Sequence, residues 1–282
     1  MSTFPISESS VHAAPPGVAV LVTAYEPGRM LLDVVEPLIC AGTPAIIVVD
    51  DGSSSAREWL LNRLALEPTV HLVRHSAPKG RGAALKTGIQ YFLEHLRHYT
   101  GLVTTSVDGQ YAAEDVLRLA RALRRSPKLA IVAAREFPEG GSAAMAWRSG
   151  LGLTDRVLRM LFRVCTGIAI SDIQTRLRAL PTGVLPRLLR IPGNRFDYEL
   201  AMLLHLARSG YPLAEHAVPG RLDSRSADPE FRPVSDSVSM LRAVLNCKPV
   251  DPFTLEHATQ DAVRQADGDS SRFGRSSAKQ TR

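Results

Sequence analysis

Five short apolar runs constrain the fold of this chain more than any other feature. They are "VAVLVTA" (18–24), "AIIVVD" (45–50), "VHLV" (70–73), "GLVTTSV" (101–107) and "LAIVAA" (129–134). Each is rich in β-branched residues and too short for a helix, as buried parallel strands are. Helical patterns lie between them, near 29–40, 56–66, 82–98 and 113–125. In the third, Leu85, Ile89, Phe92, Leu93 and Leu96 fall on one face. Strand alternating with helix predicts βαβ units and an α/β fold, a mostly parallel central sheet with helices on both faces. Ligands of such sheets bind at the carboxyl ends of the strands, so chemistry is expected there.

The folded unit is expected to run from 17 to 247. Residues 1–16, rich in Ser, Ala and Pro, and residues 248–282, which lose apolar periodicity, read as disordered segments, with a short helix near 254–265 in the second. The N-terminal stretch lacks the positive start and apolar core of a signal peptide, and no run of eighteen apolar residues predicts a membrane span. Cys40, Cys165 and Cys247 lie far apart and form neither a disulfide framework nor a zinc pattern, which fits a reduced, cytoplasmic setting. The formal charge is +6. That charge suits phosphorylated substrates or an anionic membrane surface. With no basic stripe interleaved with aromatics, nucleic acid is not an expected partner. Arg121, Arg124 and Arg125 read as a solvated helix face.

Three strand ends carry candidate chemistry. The second run ends in Asp50-Asp51-Gly52-Ser53-Ser54. Ser53 or Ser54 would serve as a helix cap, but two adjacent carboxylates at a buried strand end repel each other unless something uses them. A nucleoside's base N–H or ribose hydroxyls would do so. After the third run, Gly80-Arg81-Gly82 opens a helix. The turn suits either an anion held by backbone N–H groups or a plain glycine-assisted helix start. The fourth run leads into "SVDGQ", where Asp108 and Gln110 offer oxygens suited to Mg²⁺ or Mn²⁺ and Ser106 stands two residues before the acid. Asp108 could equally cap the helix beginning near Ala113.

These stretches in this order, "VAVLVTAYEPG", "IIVVDDGSS", "GRGAALKTG" and "SVDGQYAAEDV", resemble the N-terminal half of family 2 glycosyltransferases. The closest group is the polyprenyl-phosphate sugar transferases, such as dolichol-phosphate mannose synthases. The resemblance implies a GT-A, Rossmann-like fold and a nucleotide-diphosphate sugar as donor. It implies donor contacts from Tyr25, Asp50, Asp51, Arg81 and Asp108, and a Mg²⁺ or Mn²⁺ ion on Asp108 and Gln110. Downstream, "ISDIQTRLRAL" resembles a family segment that places Asp172, Thr175 and Arg178 on its pattern, and "NRFDYELAMLLHLARSGYPLAEHAVP" another that carries Asp197 and Glu199. The implied catalytic set is Asp108, Asp172 and Arg178. The chain departs from the pattern at Ser106, where an acid is usual, at Arg176, where a glycine is usual, and at Leu177, where an aromatic is usual. The first strand ends Tyr25-Glu26-Pro27 where Tyr-Asn-Glu is frequent.

A hydroxyl acceptor needs a general base, whereas a lipid phosphate arrives mostly ionised. The sequence has no Gln-x-x-Arg-Trp segment but many arginines, including Arg135, Arg148, Arg176, Arg178, Arg221 and Arg225. Arg178 is the expected phosphate contact, with Arg221 or Arg225 on a loop closing over the donor. The expected reaction is sugar transfer from a UDP- or GDP-linked donor to a polyprenyl phosphate at the cytoplasmic membrane face. Two alternatives stand beside it: a soluble hydroxyl acceptor with Asp172, Asp197 or Glu199 as base, or a nucleotide-sugar-binding protein without turnover.

Residues 144–167 bear on the membrane. Arg148, Arg156, Arg159 and Arg163 fall within an arc of roughly 80° at helical spacing. Trp147, Leu151, Leu158 and Phe162 line one adjoining stripe, and Val157, Leu161 and Val164 another. Such a helix suits an interfacial position on anionic lipid, or a core-packed position with a basic edge.

Overall fold

The computed structural model describes residues 17–136, 152–220 and 242. The segments 1–16 and 248–282, the boundary at 247, and Trp147, Arg148, Leu151, Arg221 and Arg225 lie outside the described residues.

All five predicted strands form: β1 (Val18–Ala24), β2 (Ile46–Asp50), β3 (Val70–Arg74), β4 (Gly101–Ser106) and β5 (Ala130–Glu136). Two more, β6 (Arg178–Pro181) and β7 (Leu213–Pro219), complete a seven-stranded sheet of order β3-β2-β1-β4-β6-β5-β7. Every pairing is parallel except those of β6, which runs antiparallel between β4 and β5. Sequence periodicity did not isolate β6, because "RALP" is only four residues long and begins with an arginine.

The four predicted helices are α1 (Met30–Cys40), α2 (Glu58–Ala65), α3 (Arg81–Tyr91) and α4 (Ala113–Arg125). A π turn over Phe92–Leu96 continues α3. Then come α5 (Gly152–Thr166), the short α6 (Leu185–Leu188) and α7 (Phe196–Arg208). Alternate residues of each strand feed opposite layers, which is why the runs are apolar throughout. Val20, Val22, Ile46 and Val48 pack with α1, α2 and α4, while Ala19, Leu21, Ile47 and Val49 pack with α3 and α7. Burying one such side chain contributes about 1.5–3 kcal/mol. Arg124 and Arg125 are exposed on α4, as a solvated face requires.

A third cluster joins α5 to α7. Leu158 and Phe162, each 1 % exposed, pack with Phe196, Leu200 and Leu203. Leu158 and Phe162, the described residues of one stripe that could have met lipid, are therefore core. Sequence spacing places Leu158 and Phe162 on one face without saying which partner covers it.

The topology puts the carboxyl ends of six parallel strands, and the loop that enters β6, on one edge. The strand order reverses at β1, whose neighbours are β2 and β4. The crevice of an open sheet lies at such a reversal.

Candidate functional site

The edge has two halves that use carboxylates differently. On the β2 side, Asp50 is fully buried. Its Oδ1 accepts from the Ser53 backbone N–H and hydroxyl, and its Oδ2 from Arg74 Nε at 3.2 Å. Asp51, 2 % exposed, accepts at Oδ1 from His75 Nδ1 at 2.5 Å and from the Lys79 N–H at 3.0 Å. Its Oδ2 accepts from the Gly80 N–H at 2.7 Å. The repulsion between the two acids is relieved inside the protein. Asp50 and Asp51, expected to meet the nucleoside, are both buried and engaged inside the protein.

The same contacts explain the glycine turn. The anion gripped by the Lys79 and Gly80 amides is the chain's own Asp51. Gly80 has φ +98°, and a Cβ there would lie 2.5 Å from the Asn194 carbonyl oxygen. A side chain at Gly82 would meet Tyr198 Cβ at 2.7 Å. Both glycines let the start of α3 press against the start of α7. Arg81, the first residue of α3, is buried and donates from Nε to Glu199 Oε2 at 3.0 Å. It answers an internal acid.

After β1, Tyr25 is half-buried at the crevice. Glu26 has φ +45°, a conformation disfavoured for a side chain with a Cβ. It is held there because its N–H donates to Ser53 Oγ while its carboxylate accepts from the Ser54 N–H, the Ser54 hydroxyl and Arg57 Nε.

The β4 side is where cations gather. Asp108 Oδ2 accepts from Arg176 Nη1 at 2.5 Å, and Oδ1 from the Gln110 N–H at 3.1 Å. Burial alone would raise the Asp108 pKa, but the Arg176 and Arg81 charges and the Gln110 N–H hold it below the usual carboxylate range. Gln110 Oε1 accepts from Arg135 Nη1. Arg135 also donates from Nε and Nη2 to Asp172, at 2.5 and 2.8 Å, a bidentate fork. Asp172, expected in the catalytic set, braces Arg135 with both of its oxygens.

The loop carrying Arg176 is pinned. Tyr111 Oη and Thr175 Oγ1 share a hydrogen bond of 2.8 Å, and the Arg176 N–H donates to Tyr111 Oη at 3.3 Å. Burial pushes the Tyr111 hydroxyl up to about 12, so it stays protonated. The Arg176 guanidinium lies 5.3 Å from the Phe196 ring centroid, a cation–π contact.

Arg178 does not sit where a substrate phosphate could reach it. It is 1 % exposed, pairs with Thr104 and Val132 in the sheet, and donates from Nη1 to the Glu199 carbonyl oxygen at 2.7 Å. The expectation of Arg178 as phosphate contact is corrected by that burial. Its neighbour Glu199 is kept ionised: burial raises its pKa, yet Arg81, Arg178 and Arg176 bring it below the ordinary value.

A divalent ion does not fit the residues expected to hold it. Mg²⁺ requires oxygens at about 2.0–2.1 Å in an octahedron. Asp108 Oδ2 and Gln110 Oε1 each receive a guanidinium instead, and Ser106 carries no charge. Among the described residues, no group of three or more His, Cys, Asp or Glu could hold a metal ion. In this structure Asp108 and Gln110, the residues expected to hold the ion, are arginine partners.

Sequence reasoning left Arg135 and Arg176 without a role and missed Tyr111. The position of Arg135 at the carboxyl end of the fifth strand, on the edge where Asp108 follows the fourth, was the available signal.

Outside the crevice, the outward face of α5 carries Val157, Met160 and Val164, the last two 60 % and 66 % exposed. Arg156 and Arg163 are exposed beside them and Arg159 is half-buried. A hollow of about 300 Å³ is lined by Arg156, Arg159, Met160, Arg163, Ala169 and Ile170. Among the described residues, no helix is long and apolar enough to cross a membrane.

Residues 20–203 match the family model described as glycosyl transferase family 2. The undecaprenyl-phosphate mannosyltransferase of Micrococcus luteus is 27% identical over 173 residues, 60% of this chain and 69% of that one. The polyprenol monophosphomannose synthase of Mycolicibacterium smegmatis is 29% identical over 174 residues, 60% of this chain and 64% of that one. Among solved structures, glucosyl-3-phosphoglycerate synthase from Mycobacterium tuberculosis, in complex with Mn²⁺, UDP and glucosyl-3-phosphoglycerate, aligns with a TM-score of 0.57 at 16% identity. That alignment covers 83% of this chain and 81% of that one, and it is a likeness of fold.

Proposed function

The chain belongs to glycosyl transferase family 2 and has the GT-A form of the α/β fold; from that premise we propose that it moves a sugar from a UDP- or GDP-linked donor to a polyprenyl phosphate at the cytoplasmic membrane face. Mannose is the first sugar to try, because both named relatives are mannose-transferring by description.

One observation carries the reading of the acceptor. Two of the three acids expected as alternative bases are tied to cations, Asp172 to Arg135 and Glu199 to Arg81, while the third, Asp197, accepts the Arg195 backbone N–H at the start of α7. A carboxylate held below its ordinary pKa, as Glu199 is, is a poor proton acceptor near neutral pH. A lipid phosphate asks for no base, since its second pKa is about 6. Its oxygen attacks the anomeric carbon while the bond from that carbon to the nucleoside diphosphate breaks, and no proton need be removed. The site's task is to hold two phosphates beside each other in spite of their repulsion. Preorganised guanidiniums do that without reorganising as charge develops on the leaving group. Arg176, with its side chain 12% exposed, is the arginine of the β4 side within reach of a donor, the Arg135 side chain is buried behind it at 3%, and Tyr25 is half-buried at the end of β1.

The outward face of α5 is the reading's membrane contact, with Met160 and Val164 entering the interface and Arg156 and Arg163 meeting anionic headgroups. The test of the function is transfer of radiolabelled sugar from GDP- and UDP-sugars into organic-extractable product, with polyprenyl phosphate supplied in mixed micelles. Labelled lipid that disappears when polyprenyl phosphate is left out supports the proposal. Label entering only water-soluble acceptors would overturn it in favour of a hydroxyl acceptor.

A further inference from the structure

We infer that Arg176, steadied by Asp108, is the counter-ion of the donor's diphosphate, and that this chain binds its nucleotide without a divalent metal. The inference rests on the reading of a nucleotide-diphosphate donor and says which charge meets it.

The argument begins with occupancy of the acid. Arg176 Nη1 is 2.5 Å from Asp108 Oδ2, and the Gln110 N–H takes Oδ1. A metal ion bound to that Oδ2 at about 2.1 Å would stand nearly on top of a guanidinium of like sign. The second expected ligand is engaged in the same way, because Gln110 Oε1 receives Arg135. At residue 106 the chain has a serine, so no second carboxylate is present to draw an ion away from the arginine.

Charge balance points the same way. Two acids, Asp108 and Asp172, are matched by two guanidiniums, Arg176 and Arg135. A single divalent ion would carry the same positive charge. Guanidiniums suit the replacement because their planar N–H fork matches phosphate oxygens in pairs.

Arg176 is also held as a fixed group. Its backbone N–H bonds to Tyr111, its neighbour Thr175 bonds to the same hydroxyl, and its guanidinium lies over Phe196. A swinging surface arginine would lose side-chain entropy each time it met a ligand, whereas this one is ordered beforehand.

The experiment is calorimetric titration of the full chain with UDP and with GDP, once in EDTA and once in Mn²⁺. The expected result is that one nucleotide binds with affinities that agree within about threefold in the two buffers. Arg176→Gly should weaken binding in EDTA by about tenfold or more, and Arg176→Lys should restore part of the loss. Melting curves of both variants check that they are folded, and the lysine variant keeps the test informative if the glycine variant is not. The pair Ser106→Asp with Arg176→Gly should convert the protein to one whose nucleotide binding requires Mn²⁺. Wild-type binding that vanishes in EDTA and returns with Mn²⁺ would overturn the inference and leave the transfer reading intact. Folded Arg176→Gly that binds like wild type in EDTA would overturn it as well. No binding of either nucleotide in either buffer would overturn the donor reading, and the inference with it.

Discussion

The strand ends after β2 and after β4 carry similar ingredients and put them to different uses. Both have buried aspartates, and both meet arginine or histidine. After β2, Asp50 closes its own turn and takes Arg74, and Asp51 anchors the start of α3 and takes His75. After β4, Asp108 and Asp172 instead hold two arginine side chains at the crevice. An acid at a strand end is therefore not yet a ligand site. The two sides differ in what the acids grip: after β2 they take backbone amides together with Arg74 and His75 from β3 and the loop after it, and after β4 they take guanidiniums that arrive from β5 and from the loop before β6.

The sharpest way to break this comparison is to remove one acid from each side. Asp108→Ala should lower sugar transfer by about 10²–10³-fold, the scale seen when one preorganised electrostatic group is lost, with the fold retained. A turnover within about twofold of wild type would place Asp108 in the frame instead. Asp51→Ala should do the reverse to stability. It strands His75 and two amides, at a cost of about 3 kcal/mol in urea unfolding. A loss under about 1 kcal/mol would mean that the turn does not depend on it.

A smaller effect follows from pH. The folded-state pKa values of Asp108 and Glu199 lie below their ordinary values of 3.8 and 4.5. A depressed carboxylate contributes stability that is fully present above its unfolded pKa and is lost as pH falls through the folded one. Stability from these two pairs should therefore be flat from pH 6 to 8 and fall only below about pH 4. Glu199→Gln should reduce that acid loss, as read from urea midpoints across the range. An unchanged acid limb would remove Glu199 from the explanation.

The smallest effect concerns α5. Met160→Asp with Val164→Asp should weaken sedimentation with anionic liposomes by about tenfold at constant salt, while leaving the melting temperature near wild type because both residues are exposed. Equal sedimentation would detach α5 from the membrane. Substituting Leu158 and Phe162 would not test the same point, since both lie in the core.

The sheet was legible in the sequence because parallel strands buried on both faces carry few charges along their length, as β1, β2, β4 and β5 do, while the edge strand β3 still shows its short apolar run. β6 was not, since its four residues take their place from β4 and β5 and begin with Arg178. The family and the edge that carries the site were readable from the order of Asp50-Asp51, Gly80-Arg81-Gly82 and Asp108. The pairing was not. A sequence shows two adjacent acids, but it takes the fold to bring Arg74 and His75 alongside them. Arg176 stood out as an arginine in a glycine's place. That it reaches Asp108, 68 positions away along the chain, depends on β6 returning beside β4. Arg178, two residues later, looked equivalent by type and is buried beneath α7.

The central claim is that the site is built for a phosphate acceptor, held by arginines and needing no base. The most direct measurement compares polyprenyl phosphate with the matching polyprenol, which carries a hydroxyl in place of the phosphate, in one transfer assay with the same labelled donor. The account predicts labelled lipid from the phosphate and none above background from the alcohol. Transfer to the alcohol at a comparable rate would contradict it, because a hydroxyl acceptor requires a general base, and with Asp172 and Glu199 each bound to an arginine that role would fall to Asp197.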